Sequence, residues 1–168
     1  MLIVAVGSDQ PEAPALARAR AADVPTFVVP MAEDREVWNR DVVKHLQALE
    51  TDLVVTAGFM RVLGGPVIEA FENRIINSHP ALLPSFPGAH AVRDAIESGV
   101  KVTGCTIHII DEGVDTGPII AQCPVAVRDG DTVESLHKRI KEHERTLLVD
   151  VLGRIVREGV SKIGRAHV

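Results

Sequence analysis

Apolar residues fall along this chain in two rhythms. Short runs rich in Val and Ile, at residues 2–6, 26–29, 53–57, 75–79, 102–110 and 119–127, have the length and composition of strands. Between them, residues 14–22, 35–49, 67–71, 91–98 and 132–158 carry helical spacing or helix-forming composition. In 35–49 the apolar face is Val37, Trp38, Val42, Leu46 and Leu49; in 132–158 it is Val133, Leu136, Ile140, Leu147, Leu148, Val151, Leu152 and Ile155. Asp131 followed by Glu134 predicts a capping box at the start of that last, longest helix. Gly7-Ser8 predicts a turn after the first strand, and Pro124 predicts an edge position or a bulge. Strands alternating with helices predict an α/β fold with a mainly parallel sheet. In such sheets ligands gather beyond the carboxyl ends of strands, which directs attention to the residues after Ala57, after Ile76 and after Ile110.

Composition narrows this picture. A chain of 168 residues, 46% hydrophobic and 24% charged, is the size and character of one globular domain. With four Phe, one Trp and no Tyr, its core must be aliphatic. A net charge of −5 without a basic cluster argues against a nucleic-acid partner. No apolar run approaches the roughly 18 residues of a membrane span, and the opening Met-Leu-Ile-Val-Ala-Val lacks the length and basic flank of a secretory signal. Cys105 and Cys123 show no Cys-x-x-Cys pattern and fit two buried thiols in a reducing compartment, so the expected location is cytoplasmic.

The three strand ends hold the unusual residues: Gly58-Phe59-Met60-Arg61-Val62-Leu63, Asn77-Ser78-His79-Pro80, and Asp111-Glu112-Gly113-Val114-Asp115-Thr116-Gly117-Pro118. Two apart in a strand, Asn77 and His79 leave the same face. An amide beside an imidazole can grip one oxygen and one proton. Asp115 lies in a loop able to fold over that strand end, and a carboxylate beside an imidazole favours its charged form. No nucleophile accompanies the trio, since there is no Gly-x-Ser-x-Gly elbow. The suited reaction is one whose substrate brings its own nucleophile, such as an amine attacking an acyl carbon, with the protein stabilising the oxyanion. Each residue also has a plainer reading: Asn77 and Asp115 as turn formers, His79 as a satisfied structural histidine. Seven histidines raise a metal site, but no His-Glu-x-x-His or Cys-His ligand spacing supports one.

Residues 77–90, NSHPALLPSFPGAH, strongly resemble the signature of glycinamide ribonucleotide formyltransferases. AGFMRVL at 57–63 and DEGVDTGPII at 111–120 resemble two further segments of that family, in the same order. The resemblance implies a Rossmann-like fold and transfer of a formyl group from 10-formyltetrahydrofolate to the amine of 5-phosphoribosylglycinamide, without a metal. It implies that Asn77 bonds the formyl oxygen, that His79 is the cationic partner moving protons, and that Asp115 sets the state of His79 and orders a relaying water. It assigns Arg35, Met60, Arg61, Val62, Leu63, Asp111, Glu112, Gly113 and Val114 to the folate, and Lys141, Glu142, His143 and Glu144 to the ribonucleotide, with His90 and His108 close by. Partners are then small-molecule substrates, and the chain a monomer or homodimer. Formyltetrahydrofolate deformylases share the trio and supply the alternative of a hydrolase; a folate-binding remnant without turnover is a second.

Against the family pattern, one strand and a glycine-rich phosphate loop are expected ahead of residues 2–6. Gly7-Ser8 does not replace that loop, because Asp9 and Glu12 follow it and repel a phosphate. Residues 1–162 are therefore expected to be a catalytic domain lacking the family's first strand and phosphate loop. Residues 163–168 read as a non-native tail. A reading frame that continues upstream of Met1 and encodes the missing unit is the expected finding; a clean start signal with no coding sequence above it would sink the idea.

Overall fold

The computed structural model describes residues 2–59 and 61–159. Two compact units divide it, Met1–Leu53 with Leu63–Phe71, and Val54–Val62 with Glu72–Val168.

The first unit is built on two parallel strands, β1 (Val6–Ser8) and β2 (Thr26–Val28), linked by α1 (Pro14–Ala21). Proline opens α1, where its missing N–H would have had no partner in any case. α2 (Arg35–Ala48) starts at Asp34, whose carboxylate accepts from the N–H groups of Glu36 (2.7 Å) and Val37 (3.3 Å). Two buried side chains of α2 then fix its surroundings. Trp38 donates its indole N–H to the Val29 carbonyl at 2.9 Å, so the largest apolar group of the unit buries no orphan donor. Asn39 accepts from the Gly64 N–H at 2.7 Å and donates to the Arg35 carbonyl at 2.6 Å, joining α2 to the start of α3 (Gly65–Ala70). The opening strand differs from expectation. Residues 2–5 form no strand, Leu2 and Ile3 are exposed, and Gly7 and Ser8 pair within β1 instead of turning. The reason is the partner: β2 is three residues long and offers only three pairing positions.

The second unit carries a four-stranded sheet in the order β3 (Val54–Ala57), β4 (Ile75–His79), β5 (Val102–Ile109), β6 (Ile119–Ala126). β3 and β4 run parallel; β5 and β6 are antiparallel to their neighbours. The α/β class stands, with an antiparallel extension where β5 and β6 are joined by a loop and not by a crossover helix. β6 is an edge strand, and Pro124 sits in it opposite Gly104, as its missing N–H requires. α4 (Ala91–Glu97) and α5 (Val133–Glu158) contribute Val92, Leu136 and Ile140 to a core shared with Cys105 and Val125. The capping box of α5 lies one residue later than expected. Thr132 accepts from the Ser135 N–H at 3.2 Å, and Ser135 accepts in return from the Thr132 N–H at 3.0 Å. Asp131 is engaged elsewhere: the Arg139 guanidinium and the Arg128 N–H hold its carboxyl well below the usual range. Among the described residues no helix is long and apolar enough to cross a membrane.

Gly104 marks the tightest approach in this sheet. A Cβ there would lie 2.1 Å from the Cys123 carbonyl oxygen and 2.8 Å from Leu82. Backbone cannot yield as a flexible side chain can, so Gly104→Ala is expected to destabilise the chain by about 3 kcal/mol or to prevent folding. Urea denaturation checks this; an unchanged midpoint would refute the close packing.

Candidate active site

The site is assembled on β4. Asn77 and His79 leave one face of the strand, while Ser78 between them leaves the other. Register sets the neighbours: Thr56 of β3 and His108 of β5 lie directly opposite Asn77, one on each side. The three side chains form a hydrogen-bonded row. Thr56 Oγ1 donates to Asn77 Oδ1 at 2.8 Å, and Asn77 Nδ2 stands 3.1 Å from His108 Nε2. At the far end His108 Nδ1 lies 3.0 Å from the Ile109 carbonyl. A carbonyl can only accept, so Nδ1 carries the hydrogen and Nε2 accepts from the amide of Asn77. Burial keeps this ring neutral: it lowers the His108 pKa below the ordinary histidine value, outweighing the Ile109 carbonyl and the Asp115 carboxylate that act the other way. The 3.6 Å approach of His108 Nε2 to Asp115 Oδ1 is accordingly a neutral contact and not an ion pair.

His79, only 4% exposed, is held from two loops. Its Nε2 donates to the Phe86 carbonyl at 2.8 Å, and its Nδ1 faces Asp115 Oδ2 at 3.4 Å. The same carboxylate oxygen accepts from the Gly88 N–H at 2.7 Å. Phe86 and Asp115 both occupy the left-handed region, at φ 55° and 56°. For residues with a side chain this costs about 1–3 kcal/mol each and persists only where the surroundings impose it. Those surroundings are visible. Thr106, opposite His79 on β5, accepts from the Leu83 N–H (3.0 Å) and donates to the Ala81 carbonyl (2.7 Å), and Gln122 donates to the Leu83 carbonyl (2.8 Å). The loop after β4, which contains a cis Leu83–Pro84 bond, is thereby bolted to the sheet.

The loop bearing Asp115 starts from an unexpected direction. Because β5 runs antiparallel, its carboxyl end lies beside Ile75 and not beyond His79, and Asp115 must reach back. Gly117 makes the return possible, since a Cβ there would sit 1.9 Å from the Ile109 carbonyl oxygen. Asp111 closes the loop, accepting from the Gly113 N–H (3.1 Å) and the Thr116 hydroxyl (2.7 Å).

The structure thus gathers Asn77, His79, Asp115 and His108. Of the other expected residues, Glu112, Gly113 and Val114 are exposed on the loop from Asp111, and Arg61 and Val62 are exposed after β3. Leu63 is buried in the first unit, where Arg35 is an exposed residue at the start of α2. Met60 lies outside the described residues, as does the tail 163–168. His90 caps α4 from an exposed position, and among the described residues no hydrogen bond or ion pair joins it to the cluster. On α5, Lys141, Glu142 and His143 are exposed, and Glu144 accepts from the Ser78 hydroxyl, on the face of β4 opposite Asn77. Sequence reading missed Thr56, Ser78, Thr106 and the Phe86 carbonyl: strand register reveals the two threonines, and only the packing of α5 and of the loop after β4 reveals the others. The Cys105 thiol is no nucleophile: burial, with Cys123 beside it, pushes it up to about 12.

The formyl transferase family model matches residues 1–152. The chain is 50% identical over 165 residues to the phosphoribosylglycinamide formyltransferase of Mycobacterium tuberculosis, covering 97% of this chain and 76% of that one. The crystal structure of phosphoribosylglycinamide formyltransferase from Bacillus halodurans superposes with a TM-score of 0.89 at 39% identity, over 94% of this chain and 82% of the other. A formyltetrahydrofolate deformylase from Pseudomonas syringae is also similar, but at 30% identity, a TM-score of 0.83 and 50% coverage of its length. With a family model spanning most of the sequence and relatives of this identity and coverage, the chain belongs to the formyl transferase family.

Proposed function

We propose that this chain transfers the formyl group of 10-formyltetrahydrofolate to the amine of 5-phosphoribosylglycinamide. The observation that carries the reading is the convergence of Asn77, His79 and Asp115 at the end of β4, in a chain half identical to an enzyme named for that transfer. The substrate amine is the nucleophile and attacks the formyl carbon. The formyl oxygen becomes an oxyanion, for which Asn77 offers the amide hydrogen not engaged by His108. His79, with an acceptor oxygen at each ring nitrogen, is held in place to pass protons during the transfer. Asp115 orders the water that carries the proton from the attacking amine to the departing folate nitrogen. The attack has made the new C–N bond; collapse of the oxyanion restores the carbonyl and breaks the C–N bond to the folate nitrogen, which leaves as tetrahydrofolate with the relayed proton.

The exposed Val62 and Val114, with the backbone around Arg61 and Asp111 to Gly113, offer apolar surface and polar edges to the folate ring. Lys141 to Glu144 serve the ribonucleotide, Glu144 from its anchor on Ser78. The reading places a monomer or homodimer in the cytosol, acting on small molecules and not on nucleic acid, in keeping with its charge of −5. It treats residues 1–162 as the catalytic domain and 163–168 as an addition without a role.

Formyl transfer to glycinamide ribonucleotide, followed by the release of tetrahydrofolate, is the direct test. Asn77→Ala is expected to lower kcat by about 10²–10³-fold, the usual effect of one lost oxyanion donor. His79→Ala should lower it by at least about 10²-fold. Folate hydrolysis that proceeds equally well without the amine would replace this reading with a deformylase.

Stability should also fall with acidity. His108 is neutral when folded, and its folded pKa lies below that of the unfolded chain. The unfolded state therefore takes up the proton first. The His108 contribution is flat above about pH 6.5 and declines as pH falls from there toward the folded value. His137, lowered chiefly by burial, adds to the same slope. Denaturation midpoints at successive pH values should show the decline, reduced but not abolished in His108→Gln.

A further inference from the structure

The amide of Asn77 can enter its place in two orientations, and only one of them is useful. An oxyanion is stabilised by the N–H end and repelled by the C=O end. Something must therefore choose between them, and His79 and Asp115 make no hydrogen bond to Asn77 among the described residues.

We propose that Thr56 is a positioning residue for the transfer: its hydroxyl, paired with Asn77 Oδ1, fixes the amide oxygen toward β3 and so leaves the N–H end facing His108 and the reacting oxygen. The inference rests on the reading of Asn77 as the oxyanion donor. Three observations support it. Thr56 is buried and lies directly opposite Asn77 in the β3–β4 ladder. Its hydroxyl is 2.8 Å from Asn77 Oδ1 and 3.3 Å from the Ile76 carbonyl, so its single hydrogen favours the amide oxygen. The other end of the amide meets His108 Nε2 at 3.1 Å, a lone pair in the Nδ1–H form that the Ile109 carbonyl enforces. Turned over, the amide would set its oxygen against that lone pair and abandon the hydroxyl's donor.

The two constraints act from opposite strands and agree. His108 demands a donor, and Thr56 demands an acceptor. Without the hydroxyl only the His108 lone pair still orients the amide, from one end alone.

The test uses the full chain with Thr56→Val, which removes the hydroxyl at nearly constant shape, and Thr56→Ser, which keeps it. In formyl transfer, Thr56→Val is expected to lower kcat about tenfold, as one positioning hydrogen bond lost, with KM for both substrates within about twofold. Thr56→Ser should recover most of the loss. In an Asn77→Ala background Thr56→Val should cost nothing further, because there is no amide left to orient. Equal kcat in Thr56→Val, a Ser variant as poor as the Val variant, or a full additional loss in the Asn77→Ala background would each overturn the proposal. Nitrogen-15 NMR reads the orientation without turnover: the Asn77 side-chain amide and the His108 ring resonances should shift in Thr56→Val and not in Thr56→Ser. If the unaltered chain transfers no formyl group while these resonances respond, the activity falls and the positioning role stands. Resonances indifferent to the hydroxyl remove the positioning role even where transfer is observed.

Discussion

Everything at this site depends on the pairing of β4 with strands on both sides. A parallel ladder to β3 and an antiparallel ladder to β5 bring Thr56, Asn77 and His108 into one transverse row. None of the three is near another in sequence. Each ladder alone would leave one end of the Asn77 amide unpartnered, at a cost of about 1–3 kcal/mol in a buried place. With both present, donors and acceptors match along the whole row, ending at a backbone carbonyl that cannot change its role.

His79 shows the complementary strategy. Where Asn77 is fixed by strands, His79 is fixed by loops, and each loop bears one non-glycine residue in the left-handed region. The sheet supports that strain through Thr106 and Gln122, which hold the chain at Ala81 and Leu83. The asymmetry fits the chemistry assigned to each residue. A donor for an oxyanion gains from rigidity, whereas a proton carrier needs partners on either side of its ring.

Much of this was legible beforehand. Period-two alternation put Asn77 and His79 on one face, and the apolar runs located nearly every element, because both depend on local spacing. The antiparallel course of β5 was not legible, since an eight-residue apolar strand looks alike in either direction. Its consequence was a loop that reaches Asp115 back from beside Ile75. Thr56 and Thr106 were invisible for a related reason: a threonine in a strand is ordinary until register names its neighbour. The displaced capping box on α5 reflects competition, with Arg139 drawing Asp131 away and Thr132 taking its place. The first strand was overestimated because an apolar run does not reveal how long its partner is.

The alternation within β4 has one more implication. Asn77 and His79 leave one face of the strand, while Ser78 between them holds Glu144 of α5 on the reverse side. Removing or inserting a single residue in this strand would exchange the two faces, turning the serine toward Asp115 and the imidazole toward the helix. Substitutions can be absorbed one at a time, but length cannot. Within a lineage of such chains, gaps and insertions should collect in the connecting segments and stay out of these five positions.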